Sequence, residues 1–555
     1  MEGEAKRTIS KDLMPTLSEE RNWGIYNFIA LWIGMDIGIP TYYLASGLIA
    51  GGLDMKGAIF TILLGNVIVM IPILLNGHAG AKYGVPAPIY WRSAFGYKGA
   101  TLPAIVSAVV AAGWYGIQIW IGGEALNTII VALYPAWAEF SAGVWICFGL
   151  FWLANYAILV NGMGALKKME AFCAPLLVLW MIILLIWAYN RAGTWGPLVR
   201  QTGNFASTGA FLAFFIPALT SNVGYWGPMT LNVTNFTRYA KDQRSQVVGQ
   251  FVGLPSGIVA LALVGSLVTS ATVVIFGEAI WDPVALTGMV DNVWFVVGSM
   301  FFLMTATLTT NVAANAVAPA TVIVQVTEGR VNFKWAVLVL GIIAILIRPW
   351  ALVGDLSMYQ NMFLVGGAAF LGPVAGVIIC HYMIVSKTEL NVDALYEGEG
   401  EYKYEKFIGY NALFRNICII VPIILIAAAM IGPAAWMGSA TSLSMSVRTS
   451  MIAYAVLTLI VAVYIHLNIG GGVNVFAVFS VMASVALVFC GLWIPGLHML
   501  YDASWFIGTG LSIVLYYALM KKADPVYLEN KKVEHMEQLN KKIHRRELCE
   551  RLSSA

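Results

Sequence analysis

Charge is what this chain has least of. Only 11% of its 555 residues are Asp, Glu, Lys or Arg, where a soluble domain carries about a quarter, and that scarcity excludes a water-soluble fold. The charges present nearly cancel, 32 Lys and Arg against 29 Asp and Glu for a net +3. Most lie at the termini and in short gaps between apolar runs, so the chain lacks the basic face that a nucleic-acid partner requires. Cysteine is sparse and scattered: Cys147, Cys173, Cys380, Cys418, Cys490 and Cys549 stand singly. With no close pair they read as small core hydrophobes and not as a metal or redox motif. The six histidines (His78, His381, His466, His498, His535, His544) have no metal-ligand spacing, and the glycine run Gly470-Gly471-Gly472 has no following Lys-Ser/Thr of a phosphate loop. No catalytic set remains, so neither an enzyme nor a bound cofactor is expected. The opening MEGEAKRTISKDLMPTLSEERNW is charged and has no apolar stretch of a signal peptide, so no cleavage is expected there.

What the chain has instead is long apolar runs. A bilayer core takes about 20 apolar residues as a helix, and fourteen candidates lie near 28–52, 57–80, 101–132, 141–161, 169–190, 207–233, 246–276, 293–325, 333–353, 360–385, 416–432, 450–468, 473–493 and 502–520. Unpaired backbone in lipid is too costly and no alternating strand pattern is present, so an all-helical membrane protein is expected. Lys and Arg set the orientation. With the N-terminus inside, the inner segments hold Lys6, Arg7, Lys11 and Arg21, then Lys82, Arg92 and Lys98, then Lys167 and Lys168, then Arg238, Lys241 and Arg244, and so on to the tail from Lys521. The outer gaps are poorer, with Lys56, Arg191, Arg200, Arg348 and Arg448 as the main exceptions. Both termini are therefore expected in the cytoplasm, residues 1–27 as a short arm and 521–555 as a charged tail. That tail has the mixed charge of a solvated helix, and a basic amphipathic helix can also lie on a membrane or bind a partner.

Four of the runs carry glycine–proline breaks or polar groups where the membrane should be. The first run contains Gly34-Met35-Asp36-Ile37-Gly38-Ile39-Pro40 and the sixth Gly224-Tyr225-Trp226-Gly227-Pro228. Paired breaks five helices apart are the pattern of an inverted repeat whose substrate and ion sites sit at the broken helices; the halves would be 28–190 and 207–385. Asp36 has two readings, a proton or cation site and a carboxylate capping the broken half-helix. An acid at mid-helix costs about 2.5–3.5 kcal/mol to insert and must face protein or water either way. In the third run Trp114 and Gln118 are four residues apart, hence on one helix face. An indole beside an amide suits a flat heterocycle with alternating donors and acceptors, although tryptophan at such a position also serves packing. In the eighth run TLTTNVAAN sets Thr309 and Thr310 beside Asn311, with Asn315 one turn on. These are hard oxygen ligands suited to Na⁺, or groups that hydrogen-bond helix to helix.

At these residues the sequence resembles the nucleobase:cation symporter family 1, and within it the hydantoin and allantoin branch most. The matching stretches are LMPTLSEERNWGIYNFIALWIGM, NGHAGAKYGVPAPIYWRSAFGYKGA, AAGWYGIQIWIGG, GYWGPMTLNVTNFTRYA, TTNVAANAVAPA and LGPVAGVIICHYMIV, in family order over about residues 12 to 407. The resemblance implies a leucine-transporter-type fold, a five-plus-five inverted repeat with added C-terminal helices. It implies that Trp114 and Trp226 sandwich a planar substrate, that Gln118 and Asn315 hydrogen-bond its edge, and that Tyr225 is a backbone or wall contact. It also implies a sodium site at Gly34, Ile37, Ala306, Thr309 and Thr310, Ala306 through its carbonyl. Two departures stand out. Members usually have twelve helices, and residues 473–520 look like their last pair, so 411–470 reads as an inserted pair outside the ten-helix core. Asp36 replaces a small apolar residue of the hydantoin-type member, which opens proton coupling as an alternative to sodium.

The expected protein is thus a secondary-active symporter of the cytoplasmic membrane. It would import a nucleobase, hydantoin or ureide on a Na⁺ or H⁺ gradient by alternating access, the bundle of segments one, two, six and seven rocking against its neighbours. Its partners would be a small-molecule substrate and the bilayer. The rivals are a vitamin or nucleoside as cargo, an integral membrane enzyme, and a non-transporting receptor.

Overall fold

The computed structural model describes residues 13–36, 38–160, 163–327, 330–354, 358–397, 400–431, 445–468, 471–494, 496–531 and 533. Among them helix is the only extended secondary structure; the one strand-like pairing is an isolated bridge between Trp23 and Ala240. In chain order the helices are α1 Ile25–Asp36, α2 Ile39–Ala50, α3 Met55–Tyr83, α4 Ala87–Phe95, α5 Thr101–Leu133, α6 Gly143–Val160, α7 Met163–Ala192, α8 Thr208–Tyr225, α9 Gly227–Asn232, α10 Thr234–Thr237 and α11 Gln243–Phe276. They continue with α12 Pro283–Gly288, α13 Val293–Thr310, α14 Val317–Val326, α15 Phe333–Leu346, α16 Pro349–Val353, α17 Gly366–Ile379, α18 Val392–Glu397, α19 Ile408–Ile431, α20 Met445–Leu467, α21 Val475–Trp493, α22 His498–Asp502 and α23 Ser504–Ala523.

Seven helices among the described residues are each long and apolar enough to cross a membrane, and nine spans result if two bent pairs count as one each. The fourteen runs read from sequence include several that the structure breaks near their middle, at Asp36, Trp226 and Thr310. Where helices start and stop, local chemistry explains it. Asp54 caps α3 by accepting from Gly57 N at 3.0 Å, and the helix ends at Gly84 in left-handed conformation, φ 71°. Asp242 caps α11 through Ser245 N at 2.6 Å. The bonds from Ser245, with Lys241 and Arg244 beside it, hold the Asp242 carboxyl below the usual carboxylate range. These are the side-chain acceptors that helix N-termini call for.

The chain divides into two compact units, Met1–Pro86 with Ala104–Leu371, and Ala87–Pro103 with Gly372–Ala555. In the first, α11 presents Gly249, Gly253 and Gly257 at four-residue spacing to α1. A Cβ on Gly249 would meet Phe28 Cβ at 2.6 Å, one on Gly253 would meet Trp32 Cβ at 2.9 Å, and one on Gly257 would meet Asp36 Oδ2 at 2.5 Å. Phe28, Trp32 and Asp36 also repeat every four residues, so the two helices meet along matching rows. Close backbone approach over small residues is how membrane helices gain contact where lipid supplies no hydrophobic drive. A second core in this unit packs Tyr115, Ile119 and Trp120 of α5 on Phe148 and Phe151 of α6, Val312 and Ala316, and Leu340 and Ala344 of α15.

In the second unit every residue of α4 is buried. Arg92 donates from Nη1 to Leu395 O at 2.8 Å and lies 4.1 Å over the Tyr97 ring. His381 bonds Tyr516 Oη at 2.9 Å and Ser386 Oγ at 3.0 Å, and Asn474 Nδ2 donates to Tyr516 Oη and to Ala94 O. The Tyr404 hydroxyl donates to Ser93 O. α19 and α20, which cover most of the expected inserted pair, pack against one another in this unit, whereas the candidate site residues all belong to the first.

Candidate functional site

The site forms where three segments of the first unit lose regular α-helix. α1 stops at Asp36, and α2 starts at Ile39 with extended Gly38 (φ −159°, ψ 160°) as its cap and Pro40 in its first turn. The axes on either side differ by 76°. Pro lacks the N–H that would continue α1 and is tolerated in a first turn, where that donor has no partner in any case. Ile37, one of the expected ion ligands, lies outside the described residues. The second break falls at Trp226 (φ −98°, ψ 10°), between α8 and α9, with Pro228 at the start of α9. In the third, α13 passes at Thr310 into a π-helical turn, Asn311–Ala316, before α14. Inserted residues of this kind recur at functional sites.

These irregularities bring the sequence-named residues together. One small cavity of about 20 Å³ has Trp114, Gln118, Tyr225, Trp226, Thr310 and Asn315 among its walls. Gln118 is 2% exposed, and among the described residues its Oε1 has no hydrogen-bond partner and the Trp226 Nε1 likewise has none. An orphaned acceptor and an orphaned donor in the walls of one cavity are a cost in the empty protein that a ligand with complementary groups removes. The Trp114 indole is held edge-to-face by Tyr225 (4.9 Å between centroids), Phe363 (5.2 Å) and Tyr359 (6.1 Å), and Trp226 by Trp32 (5.0 Å) and Tyr225 (5.3 Å). A cavity of 20 Å³ holds about one water, so the rings must part to admit a heterocycle.

The ion-ligand candidates pair off in the same region. Thr310 Oγ1 donates to Gly34 O at 3.2 Å, joining the broken α1 to α13, and Thr309 Oγ1 donates to Ala306 O at 2.9 Å. Both threonine hydroxyls and both carbonyls are buried or nearly so, and on rotation each hydroxyl offers a lone pair beside the carbonyl it now donates to. Asp36 is fully buried, and neither carboxylate oxygen has a hydrogen-bond partner among the described residues. It does not line the cavity, and its carboxyl packs against Gly257 of α11.

Two site-supporting residues, Asn155 and Thr41, escaped the sequence reading, and a third, Asn311, was read for another role. Asn315 Nδ2 donates to Asn311 Oδ1 (3.3 Å), and Asn311 Nδ2 to Asn155 Oδ1 (3.2 Å) and Tyr115 O (3.2 Å). Asn155 of α6 therefore orients, through Asn311, the amide in the cavity wall. Thr41 of α2 shares a hydrogen bond of 2.9 Å with Tyr225 Oη and donates to Asp36 O at 2.8 Å, linking a cavity wall to the buried C-terminal end of α1. A lone Asn in the apolar run of α6 was the available signal for the first; Asn311 was read only as an ion or interhelical ligand, and nothing local marks Thr41.

An all-helical chain with paired discontinuous helices around a buried, aromatic-walled cavity is a multi-pass membrane transporter. It belongs to the family of permeases for cytosine/purines, uracil, thiamine and allantoin, whose family model matches residues 15–457. The allantoin permease of Bacillus subtilis is 33% identical over 543 residues, 96% of this chain and 97% of that protein. The purine-uracil permease of Arabidopsis thaliana is 35% identical over 425 residues, 74% of this chain and 70% of that protein. Among solved structures, a nucleobase-cation-symport-1 family transporter in a closed conformation with bromovinylhydantoin bound is similar in fold, with a TM-score of 0.69 at 20% identity, covering 93% of this chain and 96% of that one.

Proposed function

We propose that this protein is a cation-coupled symporter that imports a single-ring nitrogen compound of the allantoin, hydantoin or nucleobase class. The observation that carries the reading is the unpartnered Gln118 Oε1 and Trp226 Nε1 in a cavity walled by Trp114. A ureide or imide edge offers an N–H to the one and a carbonyl to the other, while its flat face lies on an indole. Asn315, held by Asn311 and Asn155, would fix the substrate's other edge, and the Tyr225–Thr41–Asp36 bonds would pass the parting of the rings to the broken α1. Coupling requires that ion and substrate favour the same state.

For the ion we propose Na⁺, held by the carbonyls of Gly34 and Ala306 and the hydroxyls of Thr309 and Thr310. These four oxygens are hard ligands of the kind that a hard cation takes. Thr310→Val keeps the shape and removes the hydroxyl; it is expected to weaken Na⁺-dependent uptake by about tenfold or more, which corresponds to about 1.4 kcal/mol, while Thr310→Ser retains it. Equal Na⁺ dependence in the valine variant and the parent would remove Thr310 from the ion site.

The reading is tested by a thermal-shift screen of the purified protein against nucleobases, hydantoins and allantoin, each in Na⁺ and in choline, followed by uptake into proteoliposomes. A bound ligand raises the melting temperature by linkage. One planar compound shifting it only with Na⁺ is the expected result. A shift indifferent to Na⁺ moves the coupling to protons, and no shift with any of these compounds overturns the substrate class.

A further inference from the structure

A second cavity of the first unit is roomier than the one at the substrate site. A cavity of about 190 Å³ lies among α5, α14 and α15, with Ala108, Val109, Val326, Thr327, Leu340 and Ile343 among its walls, and it exposes no polar surface. Its one hydroxyl, on Thr327, is turned back onto its own helix and donates to Ile323 O at 2.8 Å. A heterocycle with several donors and acceptors would go unsatisfied here, and so would water; dry apolar cavities of about 150 Å³ take up hydrocarbon guests. The cavity opens sideways. Ile105, Val109 and Val326 on its rim are 44%, 55% and 42% exposed, and in a membrane-spanning chain the medium outside such residues is acyl chain.

The end of this cavity near Thr327 is marked by groups that sit at a membrane surface. Arg330 and Lys334 are exposed, and Trp335 is 60% exposed. Lys334 precedes Leu340 by six residues, about 9 Å along a helix, so a headgroup at the cations is in register with a chain lying in the cavity. Paired basic side chains beside an aromatic at the interface suit an anionic headgroup. We propose that this cavity is a binding site for one acyl chain of an anionic phospholipid, its phosphate held by Arg330 and Lys334. The site rests on the chain's spanning the membrane and not on the identity of its cargo.

Its position gives the lipid a purpose. Ala108 and Val109 precede Trp114 and Gln118 on α5, and α14 continues directly from the π turn that carries Asn315. A chain wedged between them stiffens the two helices that hold the substrate residues.

The test uses the whole purified protein, with dioctanoyl-phosphatidylglycerol and dioctanoyl-phosphatidylcholine as probes in thermal shift and native mass spectrometry. The glycerol lipid is expected to raise the melting temperature by several degrees and to remain as a single adduct, the choline lipid to do less. Ala108→Phe fills the cavity and is expected to abolish both effects. Should that variant fail to fold, the Arg330→Gln/Lys334→Gln pair, which leaves the cavity untouched, is expected to erase the difference between the two lipids. Equal stabilisation of parent and Ala108→Phe, equal response to both lipids in the parent, or a dimer that Ala108→Phe disrupts would each overturn the proposal, the last by making the groove an interface between two copies.

Discussion

Trp114→Ala is expected to abolish substrate-dependent thermal stabilisation and to reduce uptake at least about a hundredfold. The indole is 5% exposed and packs on three other rings. Its removal takes away the flat surface on which the ligand lies and unties Tyr225, through which the cavity is bonded to Thr41. Removing a buried Trp also costs about 3–5 kcal/mol of stability, so the variant must be read beside two others. Trp114→Phe keeps an aromatic face and is expected to bind with intermediate affinity. Gln118→Ala is expected to lose binding while melting close to the parent, because its Oε1 makes no bond in the empty protein and its loss leaves no partner stranded. Thermal shift with and without the ligand found in the screen, and uptake at fixed Na⁺, separate the two contributions. Unchanged affinity in both the Trp114→Ala and Gln118→Ala proteins would overturn the site assignment.

Gly253→Leu is expected to have the largest effect on folding. A Cβ there already meets Trp32 Cβ at 2.9 Å and Ile29 Cα at 3.1 Å, and backbone cannot step aside as a flexible side chain can. Overpacking in a tight interior costs about 1–3 kcal/mol and sometimes more. Here the cost is spread along a seam that also includes the Gly249 and Gly257 contacts, so α1 must lift from α11 over several turns. The expected result is a markedly lower yield of monodisperse protein and a melting temperature lowered by many degrees. The seam carries Asp36 and lies beside Gly34, so any folded remainder should also respond less to Na⁺. Gly298→Leu on α13, where an added Cβ meets nothing within 4 Å, is the control and should behave as the parent. If the two leucine variants melted alike, the matched rows of α1 and α11 would not be what holds these helices together.

Much of the site was legible in the linear chain because its signals are local. Gly and Pro around Asp36 and Trp226 mark places where a helix cannot continue, and the structure ends α1 at Asp36 and α8 at Tyr225. Trp114 and Gln118 share a face by helical spacing alone. Thr309 and Thr310 announce themselves as hydroxyls in an apolar run, and the structure brings Thr310 to Gly34. Other features were hidden for one reason: their meaning depends on a partner far away in sequence. Thr41 meets Tyr225 184 positions later and Asn155 meets Asn311 156 positions later, and side-chain type does not say which distant atom it will find. The glycines of α11 are visible as a four-residue repeat, yet the repeat does not name α1 as the helix they receive.

Composition and hydropathy by themselves determined that the chain is helical and membrane-embedded, because backbone in lipid has no other partners than its own. The residues that break helices, and those that offer a planar ring, an amide or a hydroxyl to a buried ligand, were likewise set by local covalent chemistry. Only the tertiary structure decided which of those groups face one cavity, that the Asp36 carboxyl turns to Gly257 and not into that cavity, that the cavity is small, and that a second, dry cavity opens toward the bilayer. Those are outcomes of packing between helices, where a shift of one methyl group changes what fits, and no local pattern encodes them.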